Sequence, residues 1–413
     1  LSTTESYQHR FPNGLTVVGE RMPSVKSAAF SLLLPAGAIY DPPERLGTAG
    51  VLAEWMLRGA GDRDSRSLIE ALDRLGATYR VSAQSVHLGL TAATLGRHLI
   101  AVLRILVDVV RRPHLRDDDF ESVRALAAQS LRSLEDDPGA KLMVELRRRH
   151  FRDPWGRHPL GTPEGVAALT PESVRQFHGA HVHSSGAILA AAGDIDWTAL
   201  VDAVAELLGD APPCPEPTLR PGPAGPARDH IAKATEQVQI GLALPMVPLP
   251  HPDSYQARAA AAILGGYSSA RLFTEVREKR GLCYSVAAAY ESFRDEAALV
   301  CHAGTSSDRA QQTLDVMLAE LNRLCDRGVA ADELETMRAG LKSSWIMQQE
   351  SSLARSSQIA SDLYYLGRVR TLDEISAALD ALTPQSVSRY CGSLRRDQMT
   401  ILSLGPRALV CPE

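Results

Sequence analysis

Two stretches of this chain recur in the same order, and an internal repeat restricts the fold more than any single motif does. Leu169-Thr-Pro-Glu-Ser-Val174 returns as Leu382-Thr-Pro-Gln-Ser-Val387, and Leu75-Gly-Ala-Thr-Tyr-Arg-Val81 returns as Arg280-Gly-Leu-Cys-Tyr-Ser-Val286. The two offsets agree to within one loop insertion, which points to a duplicated α/β domain. In the first pair of copies Thr170 and Thr383 stand where a helix cap is needed, with Pro171 and Pro384 in the first turn. Each predicted helix leads to a short apolar strand ending in glycine, at 187–193 and 399–405.

Residues 212–226 hold seven prolines, with glycines at 222 and 225. Such a run resists helix and central strand and acts as a semi-rigid connector. The expected division is therefore an N-terminal domain at 1–211, a linker at 212–228 and a C-terminal domain at 229–413. Strands are expected at 15–21, 28–35, 78–85 and 87–92, and again at 238–244, 284–290 and 297–304. Long amphipathic segments fill the rest. The expected fold class is α+β: two homologous α/β domains, each an antiparallel sheet with helices packed on one face.

A formal net charge of -5 gives no general attraction to nucleic acid or anionic membrane. No stretch approaches the roughly 18 uninterrupted apolar residues of a membrane span. The most apolar window, 99–110, is broken by Arg104 and Asp108, and its Leu99, Val102, Leu103, Leu106 and Val110 fall at helical spacing. The six cysteines are scattered without a C-x-x-C pair, so neither a disulfide framework nor a cysteine zinc site is expected. The opening Leu-Ser-Thr-Thr-Glu has no signal-peptide pattern, which favours the cytoplasm over the periplasm; without an initiator Met, a removed leader stays open.

Chemistry enters at Gly47-Thr-Ala-Gly-Val-Leu-Ala-Glu-Trp-Met-Leu-Arg-Gly-Ala60. This segment resembles the zinc-binding segment of the pitrilysin-type (M16) peptidases, G-x-A-H-x-x-E-H-x-x-x-x-G. Asn13-Gly-Leu-Thr-Val-Val18, Leu34-Pro-Ala-Gly-Ala38 and His158-Pro-Leu-Gly161 extend the resemblance over the chain. In H-x-x-E-H the two histidines share one helical face and ligate zinc, while the Glu takes a proton from metal-bound water. Gly47, Ala49 and Gly59 set an ungapped register in which those positions are Gly50, Ala53 and Glu54. Sliding by one, so that Glu54 matches the Glu, puts Val51 and Trp55 at the histidines. The family's third ligand lies eight residues before the proline of an E-D-x-P-like turn. Here that turn is Glu135-Asp-Asp-Pro138 and the position is Ser130, beside Gln129. The resemblance thus implies a zinc motif without its ligands or base, and no metal in this chain. His181 and His183 form an H-x-H expected on a strand, with no third ligand at useful spacing. His150 and His158 are expected to flank the Pro-Trp-Gly turn, and Glu54 to be solvated or salt-bridged.

The second half keeps Ser268-Ser-Ala-Arg-Leu-Phe-Thr-Glu-Val-Arg-Glu-Lys-Arg-Gly-Leu-Cys-Tyr284, which is similar to the family's S-S-R-L-F-x-E-[VI]-R-E-K-R-G-L-x-Y. The Arg and Tyr of that signature form a pair that here is Arg277 and Tyr284. A guanidinium and a phenol held together can donate to a peptide carbonyl and its developing oxyanion. Read without the family, Arg277 would pair with Glu275 or Glu278 and Tyr284 would be a core tyrosine. In the repeat, Tyr79 keeps the Tyr while Leu72 holds the Arg position. Glycines 265, 266 and 281 are expected in loops that admit backbone close to a substrate.

The resemblance implies a non-catalytic subunit that completes the active site of a homologous H-x-x-E-H partner in a heterodimer. That partner would hold the zinc, and an unfolded peptide would be the substrate, paired as an extra strand on a sheet edge of the partner's zinc half. The alternative it leaves is a structural or assembly subunit with a vestigial pair. Peptidase activity of this chain alone is not expected.

Overall fold

The computed structural model describes residues 5–210, 212–215 and 219–411. The first four residues, and Glu216 to Thr218 of the proline-rich run, lie outside the described residues, as do Ala211 and the last two. Two compact units emerge, and they are not the two halves laid end to end. The first gathers Leu1–Arg132, Arg157–Pro221 and Met347–Val369; the second gathers Ser133–Gly156, Gly222–Ile346 and Arg370–Glu413.

In the first unit six strands form one sheet: β1 (Glu5–Arg10), β2 (Thr16–Arg21), β3 (Ser27–Leu34), β6 (Thr78–Ala83), β7 (Leu88–Leu95) and β8 (Ile188–Gly193). Their order is β1-β2-β8-β3-β7-β6. A two-residue hairpin, β4 (Gly59–Ala60) with β5 (Arg63–Asp64), stands apart. The helices are α1 (Thr48–Trp55), α2 (Ser65–Arg74), α3 (Leu99–Arg111), α4 (Asp117–Asp136), α6 (Pro163–Ala167), α7 (Pro171–His181) and α8 (Trp197–Leu208). Strand alternation decides which face each residue serves. Phe30, Leu32 and Leu34 join Leu189 and Ala191 in a core with Leu52 and Trp55 of α1 and Leu103 and Leu106 of α3. Their neighbours Leu33, Ile188 and Ala190 point the other way, onto Ile359, Ala360 and Leu363 of α12 (Ser352–Leu366). Burying Ile359 and Leu363 contributes roughly 1.5–3 kcal/mol each. Arg355 of α12 donates to Glu20 of β2, with Nε at 2.8 Å from Oε1, in a pair only 4% and 6% exposed.

The second unit repeats the plan with β9 (Arg228–Ala232), β10 (Gln237–Met246), β11 (Cys283–Ser292), β12 (Ala297–Ser306) and β13 (Thr400–Gly405), ordered β11-β12-β10-β13-β9. One face packs Ile240, Leu242 and Leu299 against α9 (Ser254–Gly265), α10 (Ala310–Arg327) and α14 (Pro384–Gly392). The other packs Ala243, Val300, Leu402 and Leu404 against Leu142 and Leu146 of α5 (Pro138–His150). Two further helices are α11 (Ala331–Gln349) and α13 (Leu372–Asp380).

The α+β class and the two related domains stand as expected, with two additions. Each sheet is mixed, because β2 runs parallel to β8 and β13 parallel to β9. Each also has a helix on its second face, since its central strands are apolar on both sides and must be covered twice. The repeated Thr-Pro motifs start α7 and α14, each with a reciprocal capping box between Thr170 and Ser173 or Thr383 and Ser386. Among the described residues no helix is long and apolar enough to cross a membrane.

Candidate functional site

Helix α1 carries the positions aligned with the zinc motif. Asp41 fixes its start, accepting from the amides of Gly47 at 2.7 Å and Ala49 at 2.9 Å. Burial pushes the Asp41 carboxyl up to about 7, against the pull of those amides and of Arg157. Gly50, Glu54 and, from α4, Ser130 line one cleft of about 310 Å³, together with Val51, Val123 and Leu126. Ala53 lies off that lining and is buried. In the slid register Val51 and Trp55 are both fully buried, Trp55 with its indole N–H on the Arg116 carbonyl.

The groups present do not suit a metal. Glu54 forms an exposed ion pair with Arg58 one turn on, at 3.2 Å. The Ser130 hydroxyl donates to the Leu126 carbonyl. A Cβ on Gly50 would lie 2.4 Å from the Pro159 carbonyl oxygen, so a side chain there requires the backbone to move. Among the described residues no three His, Cys, Asp or Glu side chains gather as a metal site. His181 and His183 are not on a strand. The helical spacing of Val174 and Phe177 carries α7 through His181, whose ring stacks on Tyr40, and His183 follows in the bend beyond.

The second unit brings Arg277 and Tyr284 together. Residues Phe273–Glu278 form a π-helical turn in which Lys279 N–H reaches the Thr274 carbonyl, five residues back. Gly281 then turns the chain at φ 58°, and β11 begins. Cys283 faces Thr305 while Ser285 faces Gly304, so Tyr284 is the extra residue of a β-bulge. The bulge directs its ring outward, 80% exposed. The Arg277 guanidinium lies 5.2 Å from the centroid of that ring and 4.7 Å from that of Phe273. Arg277 forms no ion pair with Glu275 or Glu278. Glu275 is taken by Lys279 at 2.7 Å and Arg280 at 2.6 Å, and these cations hold its carboxyl below the usual range. The phenol and the guanidinium thus remain available as donors at the surface, partly stacked through a cation–π contact.

Gly265 differs from expectation, while Gly266 follows α9 in an exposed bend. Gly265 ends α9, and a Cβ there would meet the Ala288 amide nitrogen at 2.5 Å; its role is close helix–strand packing. Gly281 alone sits at an open turn. The π turn and the bulge, which aim the two side chains, left no signal in the residue spacing. The cysteines are all free thiols, with Cys301, Cys325 and Cys391 buried.

Residues 16–163 match the family described as insulinase (peptidase family M16), and residues 168–341 match the peptidase M16 inactive domain. The chain belongs to peptidase family M16. It is 25% identical over 405 residues to an uncharacterized zinc protease of Streptomyces coelicolor, covering 96% of this chain and 88% of that protein. Its fold is similar to a peptidase M16 inactive domain from Pseudomonas fluorescens, with TM-score 0.89, 20% identity and 99% of both chains covered. It is also similar to a chain of complex III2 from Candida albicans, with TM-score 0.84, 20% identity, and 97% and 96% covered.

Proposed function

We propose that this chain is the non-catalytic subunit of a heterodimeric M16 zinc metallopeptidase, binding a peptide and completing the active site of a homologous partner that keeps H-x-x-E-H. The observation that carries this reading is the placement of Arg277 and Tyr284. Two consecutive backbone irregularities hold a guanidinium and an exposed phenol side by side, free of carboxylate partners. Their N–H and O–H groups would donate to the carbonyl of a bound peptide and to the oxyanion that forms on it. Metal, hydroxide and general base would come from the partner, because the Gly50, Ala53, Glu54 and Ser130 positions supply none of them. A carboxylate bound to Arg277 would quench this role, and Glu275 is held away from it by Lys279 and Arg280.

The test is co-expression with an H-x-x-E-H family member and assay of peptide hydrolysis. Arg277→Ala and Tyr284→Phe should each lower kcat/KM about 100-fold, with the zinc content of the complex unchanged. Undiminished hydrolysis in both would remove the role and leave the chain a structural or assembly subunit.

A further inference from the structure

A cleft of about 530 Å³ opens at the end of the second sheet where β10 finishes and β12 and β13 begin. Small-molecule sites fall in this size range. Every residue that lines it belongs to the second unit. It stands at the opposite ends of these strands from Arg277 and Tyr284: Ala297 lines it, while Thr305, roughly 27 Å further along β12, faces Cys283. Ala224 and Gly225 of the proline-rich run, with Ala227 after it, form one wall. The amides of Gly222 and Gly225 donate to the carbonyls of Asp153 at 2.7 Å and Arg149 at 2.9 Å. The Arg149 carbonyl belongs to the last turn of α5 and has no donor within the helix, so the run and the helix end satisfy each other. Backbone bonds therefore frame the cleft.

Its apolar lining comes from Phe151, Pro245, Met246 and Ala297. The cations around it are already engaged. Arg149 donates to Asp229 at 2.7 Å and to Glu145, and Arg152 donates to Glu296 at 2.6 Å. Glu291, close enough to act on the His150 ring, is taken by Arg147 at 2.7 Å. What stays open is Asp295, in the turn between β11 and β12, which forms no ion pair among the described residues; Arg294 beside it lies off the lining. The Gln398 side-chain amide and the His150 Nε2 also have no partner among the described residues. His150 Nδ1 lies 3.0 Å from the Thr400 hydroxyl, and burial keeps the ring neutral at pH 7, so it does not repel a cation. An anion would meet Asp295 and Glu296 with both guanidinium groups occupied. A wholly apolar ligand would desolvate the carboxylate, the amide and the imidazole without replacing their hydrogen bonds.

We infer that this cleft binds a small organic cation, an amine on an apolar or aromatic body, with its ammonium on Asp295 and its body against Phe151 and Met246. The Gln398 carbonyl and the imidazole accept its remaining N–H groups. Binding here asks nothing of Arg277 and Tyr284, so it stands or falls apart from their role.

The experiment titrates the full chain with three indoles of one shape and different charge, followed by calorimetry at low salt. Tryptamine is the cation, tryptophol the neutral analogue and indole-3-acetate the anion. Tryptamine should bind with Kd below about 1 mM, tryptophol about fivefold more weakly, and indole-3-acetate not measurably. Asp295→Asn should bring tryptamine down to the affinity of tryptophol. Asp295 is exposed, so this variant should fold, and the comparison of the three indoles needs no variant at all. On titration with tryptamine the ring nitrogens of His150 should also shift in nitrogen NMR. Failure of tryptamine to bind up to about 10 mM overturns the inference, as does tryptophol or indole-3-acetate binding as tightly as the amine. Tryptamine binding that Asp295→Asn leaves unchanged overturns it too, because the cation would then be held elsewhere on a chain of net negative charge. Unmoved His150 nitrogens would overturn the placement in the same way.

Discussion

The corner between α2 and β6 in the first unit and the corner between the π turn and β11 in the second descend from one sequence pattern. Both turn on a glycine with open space around it, Gly76 at φ 60° and Gly281 at φ 58°. Both place a tyrosine at or near the start of the strand that follows, at Tyr79 and Tyr284. What differs is regularity. α2 is an ordinary α-helix that puts Leu72 wholly in the core, and β6 pairs with β7 without interruption. In the second unit the wider turn gives the core position to Val276 and leaves Arg277 part-exposed, and the bulge turns Tyr284 out. The same number of residues thus yields a packing corner in one unit and a pair of presented polar groups in the other.

The strongest way to break this comparison is to exchange the residues. Leu72→Arg buries a guanidinium with no partner in the core and should cost about 4 kcal/mol or more, read from the urea midpoint. Arg277→Leu should change stability by less than about 0.5 kcal/mol; a cost near that of Leu72→Arg would mean that both corners are structural.

Acid should probe a feature the units share. His87 in the first packs edge-on against Tyr364 of α12, and His150 closes α5 in the second with its ring on the Thr400 hydroxyl. Burial depresses both rings to about 4. A base with a folded pKa below its unfolded value of about 6.5 favours folding fully above that pH and loses the contribution as pH falls toward 4. For His87 the loss should approach about 3 kcal/mol. His87→Phe should flatten the stability profile between pH 6.5 and 4, and an unchanged slope would refute the assignment.

Restoring the letters of the metal motif is the third probe. Gly50→His combined with Ala53→Glu and Glu54→His should destabilise the chain by about 2 kcal/mol through the clash at Pro159. It should also fail to bind zinc stoichiometrically, as measured by metal analysis after dialysis. One zinc per chain would show that the loss is chemical only, with no closure of the backbone. The smallest effects belong to what the corners have in common: Gly76→Ala and Gly281→Ala should each cost about 1 kcal/mol in thermal unfolding. A cost at one alone would show that the turns are not equivalent.

Local features were legible in the sequence where local chemistry decides them. The Thr-Pro caps, most of the strands and the turn at Gly281 were readable in advance, and so was the proximity of Arg277 to Tyr284 once the family pattern was seen. The H-x-H was misplaced because two apolar residues at helical spacing outweigh a short apparent alternation. The π turn and the bulge were hidden because the corner 72–79 and the corner 277–284 have equal length. The Pro159 carbonyl over Gly50 was beyond reach, being a contact between residues more than a hundred positions apart. So were the parallel pairings and the helix on each second face.

The placement of α12 has a consequence for how this protein is made. Its sheet partners β2, β3 and β8 are synthesised early, but α12 is encoded beyond most of the second unit. Until Leu366 has left the ribosome, Val18, Leu33, Ile188 and Ala190 face water on one side, and Glu20 lacks its guanidinium. A nascent first half is therefore an incomplete layer from the completion of β8 at Gly193 until α12 emerges, and its closure comes late in synthesis. Contacts of such long sequence separation form slowly. The chain should consequently depend on holding chaperones more than its size alone suggests, and a ribosome stalled before α12 should display a sheet still open on one face.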